Sequence, residues 1–119
     1  MTDLKPTSDL VSSARQDGTV VIAAIRGEID LHNSPGLRTD LLDMITKASP
    51  KKLVLNLGDV PYMDSSAIAV LVESLQRIRK LGGKIFLTNL QPRVKGLLEI
   101  ARLDAIFGVT ATEAEAIAK

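Results

Sequence analysis

The segment Leu53-Val54-Leu55-Asn56-Leu57-Gly58-Asp59-Val60-Pro61-Tyr62-Met63-Asp64-Ser65-Ser66 decides the fold. Its first five residues are a short apolar run, which reads as a buried strand, and Gly58-Asp59 closes it. Asp64-Ser65-Ser66 then supplies the side-chain oxygens that start a helix. Ile68, Leu71, Val72, Leu75 and Ile78 follow at helical spacing, and Gly82-Gly83 stops the run. One strand, one turn and one amphipathic helix make half of a βαβ unit. Lys84 to Asn89 reads as the strand that completes it.

The same grammar extends in both directions. Upstream, Thr19 to Arg26 is β-branched and apolar, a buried strand. Gln16-Asp17-Gly18 before it is a hairpin turn, which makes Leu10 to Arg15 an antiparallel edge strand. Asn33-Ser34-Pro35 opens a helix whose apolar face is Leu37, Leu41, Leu42 and Ile45, and Ser49-Pro50 ends it. Downstream, Pro92 opens a helix with Val94, Leu97, Leu98 and Ala101 on one face. Ile106 to Val109 reads as a short last strand, and Thr110 or Thr112 caps a final helix. The expected architecture is α/β, a mixed sheet of four to five strands with about four helices, an N-terminal hairpin followed by βα units. It occupies residues 8–119 as one domain, with residues 1–7 as a short flexible start.

Composition removes whole classes of function. The 119 residues contain no cysteine and one histidine, so disulfides, thiol nucleophiles and cysteine-ligated zinc are excluded. Fifteen basic residues against fourteen acidic ones give no broad attraction to nucleic-acid phosphates, and 3% aromatics give no base-stacking platform. The longest apolar runs, Val20 to Ile25 and Ala67 to Val72, fall far short of the roughly 20 residues a bilayer span needs. With no signal peptide at the start, the expectation is a cytoplasmic protein without membrane insertion. Gly82-Gly83-Lys84 lacks the remaining residues of a phosphate-binding loop, and Ser65 lacks the flanking glycines of a nucleophile elbow. A triad of Asp30, His32 and Ser65 is a weak construction, because Asp30 and His32 share one short segment and no oxyanion hole is visible. A phospho-acceptor receiver domain fails as well, since the central strand carries Asn56 and the first strand offers no acidic pair. No enzyme, cofactor or metal site is expected.

Two strand-to-helix junctions remain, Glu28 to Asn33 and Met63 to Ser66. A serine at a helix start is a natural site for a phosphate, which adds about −1.5 to −2 charges at neutral pH. Free first-turn amides and the helix macrodipole would stabilise such a dianion. On a helical wheel Ala69 and Val70 fall outside the large apolar stripe, on the side of Ser66, Glu73, Gln76 and Arg77. They are expected to form a small apolar docking patch beside the hydroxyls.

Leu55 to Ser66 resembles the phosphorylation segment of bacterial anti-sigma factor antagonists, which are stand-alone STAS domains. Arg26-Gly27-Glu28-Ile29-Asp30 resembles their Gly-Glu-Leu-Asp element, and Leu81-Gly82-Gly83-Lys84 their post-helix turn. The resemblance runs from about Thr19 to Val109. It implies a partner switch in which the unmodified protein binds an anti-sigma factor that is also a serine kinase, freeing the sigma factor. The kinase uses ATP to phosphorylate the antagonist, the complex separates, and a metal-dependent serine phosphatase resets it. Carried over residue by residue, the acceptor is Ser65, with Ser66 the weaker alternative. The implied docking surface comprises Asp30, Leu31, His32, Asn33, Met63, Asp64, Ser66, Ala69, Val70 and Glu73. The family commonly has glycines where this chain has Ala67 and Ala69. The alternative within the same resemblance is a non-switching STAS subunit of a membrane lipid-transport ATPase complex.

Overall fold

The computed structural model describes residues 2–119. Eleven elements follow one another: β1 (Thr2–Asp3), β2 (Val11–Asp17), β3 (Val20–Arg26), α1 (Ser34–Ala48), β4 (Lys52–Asp59), α2 (Ser65–Lys80), β5 (Lys84–Thr88), α3 (Pro92–Ile100), a 3-10 turn (Leu103–Ala105), β6 (Gly108–Thr110) and α4 (Glu113–Ala118). The six strands lie side by side in chain order. β1, β2 and β3 pair antiparallel, whereas β3 through β6 are parallel.

That unbroken order explains the layering. A right-handed crossover that always moves to the next strand in the same direction places each connecting helix on the same face. Accordingly α1, α2 and α3 contribute Leu37, Leu41, Leu71, Ile78, Val94 and Leu98 to one core shared with the inward side chains of the sheet. The opposite face carries a smaller cluster of Ile22, Val54, Phe86 and Ala116, covered by α4. This short helix is held at both ends by strand side chains. Lys52 Nζ donates to the carbonyls of Ala116 and Ile117, each at 2.9 Å. At the other end Asn56 Nδ2 and Arg15 Nη2 donate to the two oxygens of Glu113, at 2.7 and 3.2 Å. Asn56 therefore anchors a helix.

Three expectations are corrected. The sheet has six strands, not four to five, because the opening residues add β1. Residues 2–7, set apart as a flexible start, include a strand paired with Arg15 and Gln16. Leu4 N also donates to Ala14 O at 2.8 Å, and Thr7 and Ser8 bond Asp40. Third, the buried face of α2 is Ala67, Val70, Leu71, Ser74, Leu75 and Ile78, while Ile68 and Val72 are only half-buried. A wheel weighted by bulky side chains misplaces this face. The small residues Ala67 and Ser74 are fully buried on that face. Ser74 Oγ satisfies itself on Val70 O at 2.9 Å.

Adjacent substitutions test this rotation. Val70 is 6% exposed, so Val70→Asp strands a carboxylate in the core and is expected to cost about 3 kcal/mol or more. Ala69→Asp, one position around the helix on an exposed site, should stay within about 0.5 kcal/mol. Urea midpoints of both variants check the pair. Equal losses would return Val70 to the surface.

Candidate functional site

The two junctions form one structure. An isolated parallel bridge joins Ile29 to Met63 beyond the ends of β3 and β4. Ile29 N donates to Tyr62 O at 3.1 Å, and Asp64 N donates to Ile29 O at 3.0 Å. Both bridging side chains are buried, at 1% and 0% exposure. Burying one apolar side chain from each segment pins the polar residues that follow, Asp30 and Asp64, beside one another at the surface.

Asp64 is the hub. Its Oδ1 accepts from Ser66 N at 2.9 Å, from Ala67 N at 3.4 Å, and from Ser66 Oγ. Its Oδ2 accepts from Leu31 N at 3.1 Å. One carboxylate thus caps α2 and clasps the β3–α1 loop. The Ser66 hydroxyl bond, chiefly, and the amides of Ser66, Ala67 and Leu31 hold its pKa below the ordinary carboxylate value, against opposing desolvation. A group whose folded pKa is depressed contributes stability above its unfolded pKa of about 4 and loses it as pH falls through the lower folded value. Thermal melts of wild type and Asp64→Asn should therefore differ most above the usual carboxylate range. The gap should shrink on acidification below it. A gap independent of pH would mean the charge does nothing for the cap.

The loop braces itself. Asp30 Oδ1 accepts from His32 N at 2.9 Å and Asn33 N at 3.1 Å. Asn33 Oδ1 accepts from Asp30 N at 2.8 Å, and Asn33 Nδ2 donates to Glu28 O at 2.9 Å. One oxygen of Asp30 is thus engaged by its own backbone turn, and no hydrogen bond joins Asp30 to the His32 ring among the described residues.

Ser65 is the first residue of α2, its side chain exposed, and its Oγ makes no hydrogen bond among the described residues. Ser66 is half-buried and its hydroxyl is spent on Asp64. The adjacent serines are therefore chemically distinct: one hydroxyl is free for transfer chemistry and the other is part of the cap. Ala69 and Glu73 continue from Ser65 at four-residue steps along the same row. Glu73 is engaged by Arg38 of α1 through two bonds, Nε to Oε1 at 2.6 Å and Nη2 to Oε2 at 2.8 Å. That fork, by hydrogen bond first, lowers the Glu73 pKa and raises that of Arg38.

Asp30, Leu31, His32, Asn33, Asp64, Ser65, Ser66, Ala69 and Glu73 thus fall on one surface. Two of the expected docking residues do not. Met63 is fully buried under the bridge and Val70 lies in the core, so the apolar contribution to this surface is Leu31, 76% exposed, with Ala69. A further expectation fails: the first-turn amides of Ser66 and Ala67 are not vacant for a phosphate, because Asp64 occupies them. Two neighbours escaped the sequence reading. Arg38 lies on the polar side of a helix whose pattern reveals only its apolar side. Arg93 stacks over the Tyr62 ring, 4.6 Å from its centroid, a pairing between residues 31 positions apart that no local spacing announces.

No helix among the described residues is long and apolar enough to cross a membrane. No group of three or more metal-binding side chains is gathered among them.

A family model described as STAS domain matches residues 12–116. The anti-sigma-B factor antagonist of Bacillus subtilis (strain 168) is 32% identical over 97 residues, which cover 82% of this chain and 87% of that protein. The structure of an anti-sigma factor antagonist from Mycobacterium paratuberculosis superposes with a TM-score of 0.80 at 21% identity, covering 98% of this chain and 91% of that one. A sulfate transporter family protein from Wolinella succinogenes superposes at 0.73 with 23% identity, covering 87% and 86%. At those identities the two superpositions establish a shared fold, and the site has to carry any statement of function.

Proposed function

The chain belongs to the STAS domain family, and we propose that it is an anti-sigma factor antagonist controlled by phosphorylation of Ser65. In the unmodified state the surface around Leu31, Asp64, Ser65 and Ala69 docks on an anti-sigma factor with serine kinase activity, and the sigma factor is released. Transfer of the γ-phosphoryl group from ATP to Ser65 Oγ ends the complex. A metal-dependent serine phosphatase removes the phosphate and restores binding. The protein is substrate and binding module, not catalyst.

The observation that carries this reading is the division of labour between the two serines. The acceptor must present an unengaged, exposed hydroxyl, and Ser65 does so beside a cap that holds without it. The relative from Bacillus subtilis, matched over most of its length, supports the choice of partner class. Phosphorylation requires no refolding of the helix start, since Asp64 keeps the amides and the phosphate projects outward.

Intact-mass measurement after incubation with anti-sigma factor kinases and ATP tests it. One added phosphate is expected on wild type and none on Ser65→Ala, with Ser66→Ala still modified. Modification that survives Ser65→Ala and disappears with Ser66→Ala moves the site by one residue. The absence of any phosphate, together with stable co-purification of transporter subunits, supports a non-switching role in a lipid-transport complex instead.

A further inference from the structure

The net charge of +1 conceals a separation of charge along the strands. β3 to β6 run parallel, so the segments that lead into β4 and β5 gather at one end of the sheet, and those that leave β3 and β4 gather at the other. At the exit end, residues 26–33 and 59–64 carry Glu28, Asp30, Asp59 and Asp64 against Arg26. At the entry end, residues 47–52 and 79–84 carry Lys47, Lys51, Lys52, Arg79, Lys80 and Lys84 and no acid. The other two entry segments add Asp17 at the hairpin, and Asp104 beside Arg102.

Contacts bind the two basic segments into one surface. Lys84 N donates to Lys51 O at 3.0 Å, and Lys51 Nζ donates to Leu81 O at 3.0 Å. Arg79 Nη2 reaches Ile106 O at 3.4 Å. Lys51, Arg79, Lys80 and Lys84 are exposed, and none of the four is ion-paired among the described residues. Among these cations stand two apolar side chains, Leu81 and Ile106, 38% and 40% exposed. Beside them opens a recess of about 580 Å³, bordered by Leu75, Ile85 and Ile106 with Arg79 and Lys84. A nucleic acid would engage the cations but leave Leu81 and Ile106 in water. The two rings nearby, Phe86 and Phe107, are buried and offer no stacking face to a base. A lipid surface uses both features: anionic headgroups attract the cations, and the interface beneath them takes the apolar side chains.

We infer that the entry end of the sheet, around Lys51, Arg79, Lys80, Leu81, Lys84 and Ile106, is a reversible contact surface for anionic phospholipid. The same membrane repels the acidic exit end, which fixes the orientation. α2 joins the two ends, and its 16 residues span about 24 Å. A membrane held at the basic end therefore leaves Ser65 facing away from it.

Co-sedimentation of the full chain with vesicles tests this and needs no kinase. At low salt the chain should pellet with phosphatidylcholine vesicles containing about one-third phosphatidylglycerol and stay in solution with phosphatidylcholine alone. It should be released at about 1 M salt, where the Debye length is about 3 Å. Lys80→Glu with Lys84→Glu should weaken binding at least about tenfold. Arg26→Glu with Lys95→Glu makes the same change in net charge away from the entry end, and should stay within about threefold of wild type. Leu81→Ser changes no charge and should cost about threefold or more. All five positions are exposed, and circular dichroism checks that the variants fold. The comparison of the two vesicle compositions needs no variant. A chain that ignores the anionic vesicles overturns the inference, as do equal losses from the two pairs of substitutions. Tighter binding to a DNA duplex than to the vesicles, unaffected by Leu81→Ser, overturns it in favour of nucleic acid.

Discussion

Phosphorylated at Ser65, the protein is expected to bind its anti-sigma partner a few hundredfold more weakly than the unmodified chain, a loss of about 3–4 kcal/mol. The size follows from where the charge arrives. In the proposed complex the Ser65 oxygen would lie in an interface that excludes water, and a dianion there would lose hydration without gaining a cation. The helix cannot compensate it, because the amides of Ser66 and Ala67 already bond Asp64. Asp64, its pKa held below the ordinary carboxylate value chiefly by the Ser66 hydroxyl, is itself ionised at neutral pH and adds like-charge repulsion one residue away. Arg38, the cation on the neighbouring helix α1, is held by Glu73 in a two-bond fork. Calorimetric titration of the partner with phosphoserine-65 protein and with unmodified protein measures the ratio. Ser65→Asp should fall between the two, since one carboxylate carries half the charge in a smaller volume. Ser65→Ala should keep the unmodified affinity. A phosphorylated protein that binds within a factor of about three of the unmodified one would mean the modification signals by some other route.

How much of this was legible beforehand depends on the range of the interactions. β3, β4, β5 and the helices after them announce themselves by apolar period and capping residues, because those signals are local. β1 does not: two polar residues, Thr2 and Asp3, become a strand only because β2 has a free margin for them. Asp40 sits on an apolar helix face and reads from sequence as one more polar break in it, yet it is buried because residues 7 and 8 bring three donors to it. The buried face of α2 lies one position from the one its bulkiest residues suggest, because the small residues Ala67 and Ser74 belong to it. At the site, Asp64-Ser65-Ser66 was visible as a cap with spare hydroxyls. Which hydroxyl is spare is decided by the rotamer Ser66 adopts toward Asp64, and no spacing encodes that. The clasp from Asp64 to Leu31 spans 33 residues and depends on the Ile29–Met63 bridge beneath it.

A large loss of stability from a single methyl group is expected at Gly83→Ala, and the glycine beside it supplies the control. The two residues end α2 in a Schellman motif. Gly82 N donates to Arg79 O at 3.0 Å and Gly83 N donates to Ile78 O at 2.9 Å. Gly82 has φ +76°, a left-handed backbone, but open surroundings: an added Cβ would meet nothing closer than Lys51 Nζ at 3.6 Å. Its substitution therefore costs only the conformational penalty, about 1–2 kcal/mol. Gly83 is not left-handed, yet its Cβ would stand 2.7 Å from both Ile78 Cγ1 and Pro50 O. Ile78 can repack in part. The Pro50 carbonyl cannot swing away, because the next residue is tied on both sides, Lys51 N to Thr19 O at 2.8 Å and Lys84 N to Lys51 O at 3.0 Å. Relief would have to come from shifting the helix end away from the starts of β4 and β5, at about 3 kcal/mol or more. Gly82→Asn should recover much of the Gly82→Ala loss, since asparagine tolerates the left-handed region, whereas Gly83→Asn should be at least as damaging as Gly83→Ala. Ile78→Val in the Gly83→Ala background should return only part of the stability, because the carbonyl contact persists. Urea denaturation of these five variants orders them. Gly83→Ala at or below the cost of Gly82→Ala would show that the helix end moves freely against the strands, and the tight joint between α2 and the sheet that positions Ser65 at its other end would have to be abandoned.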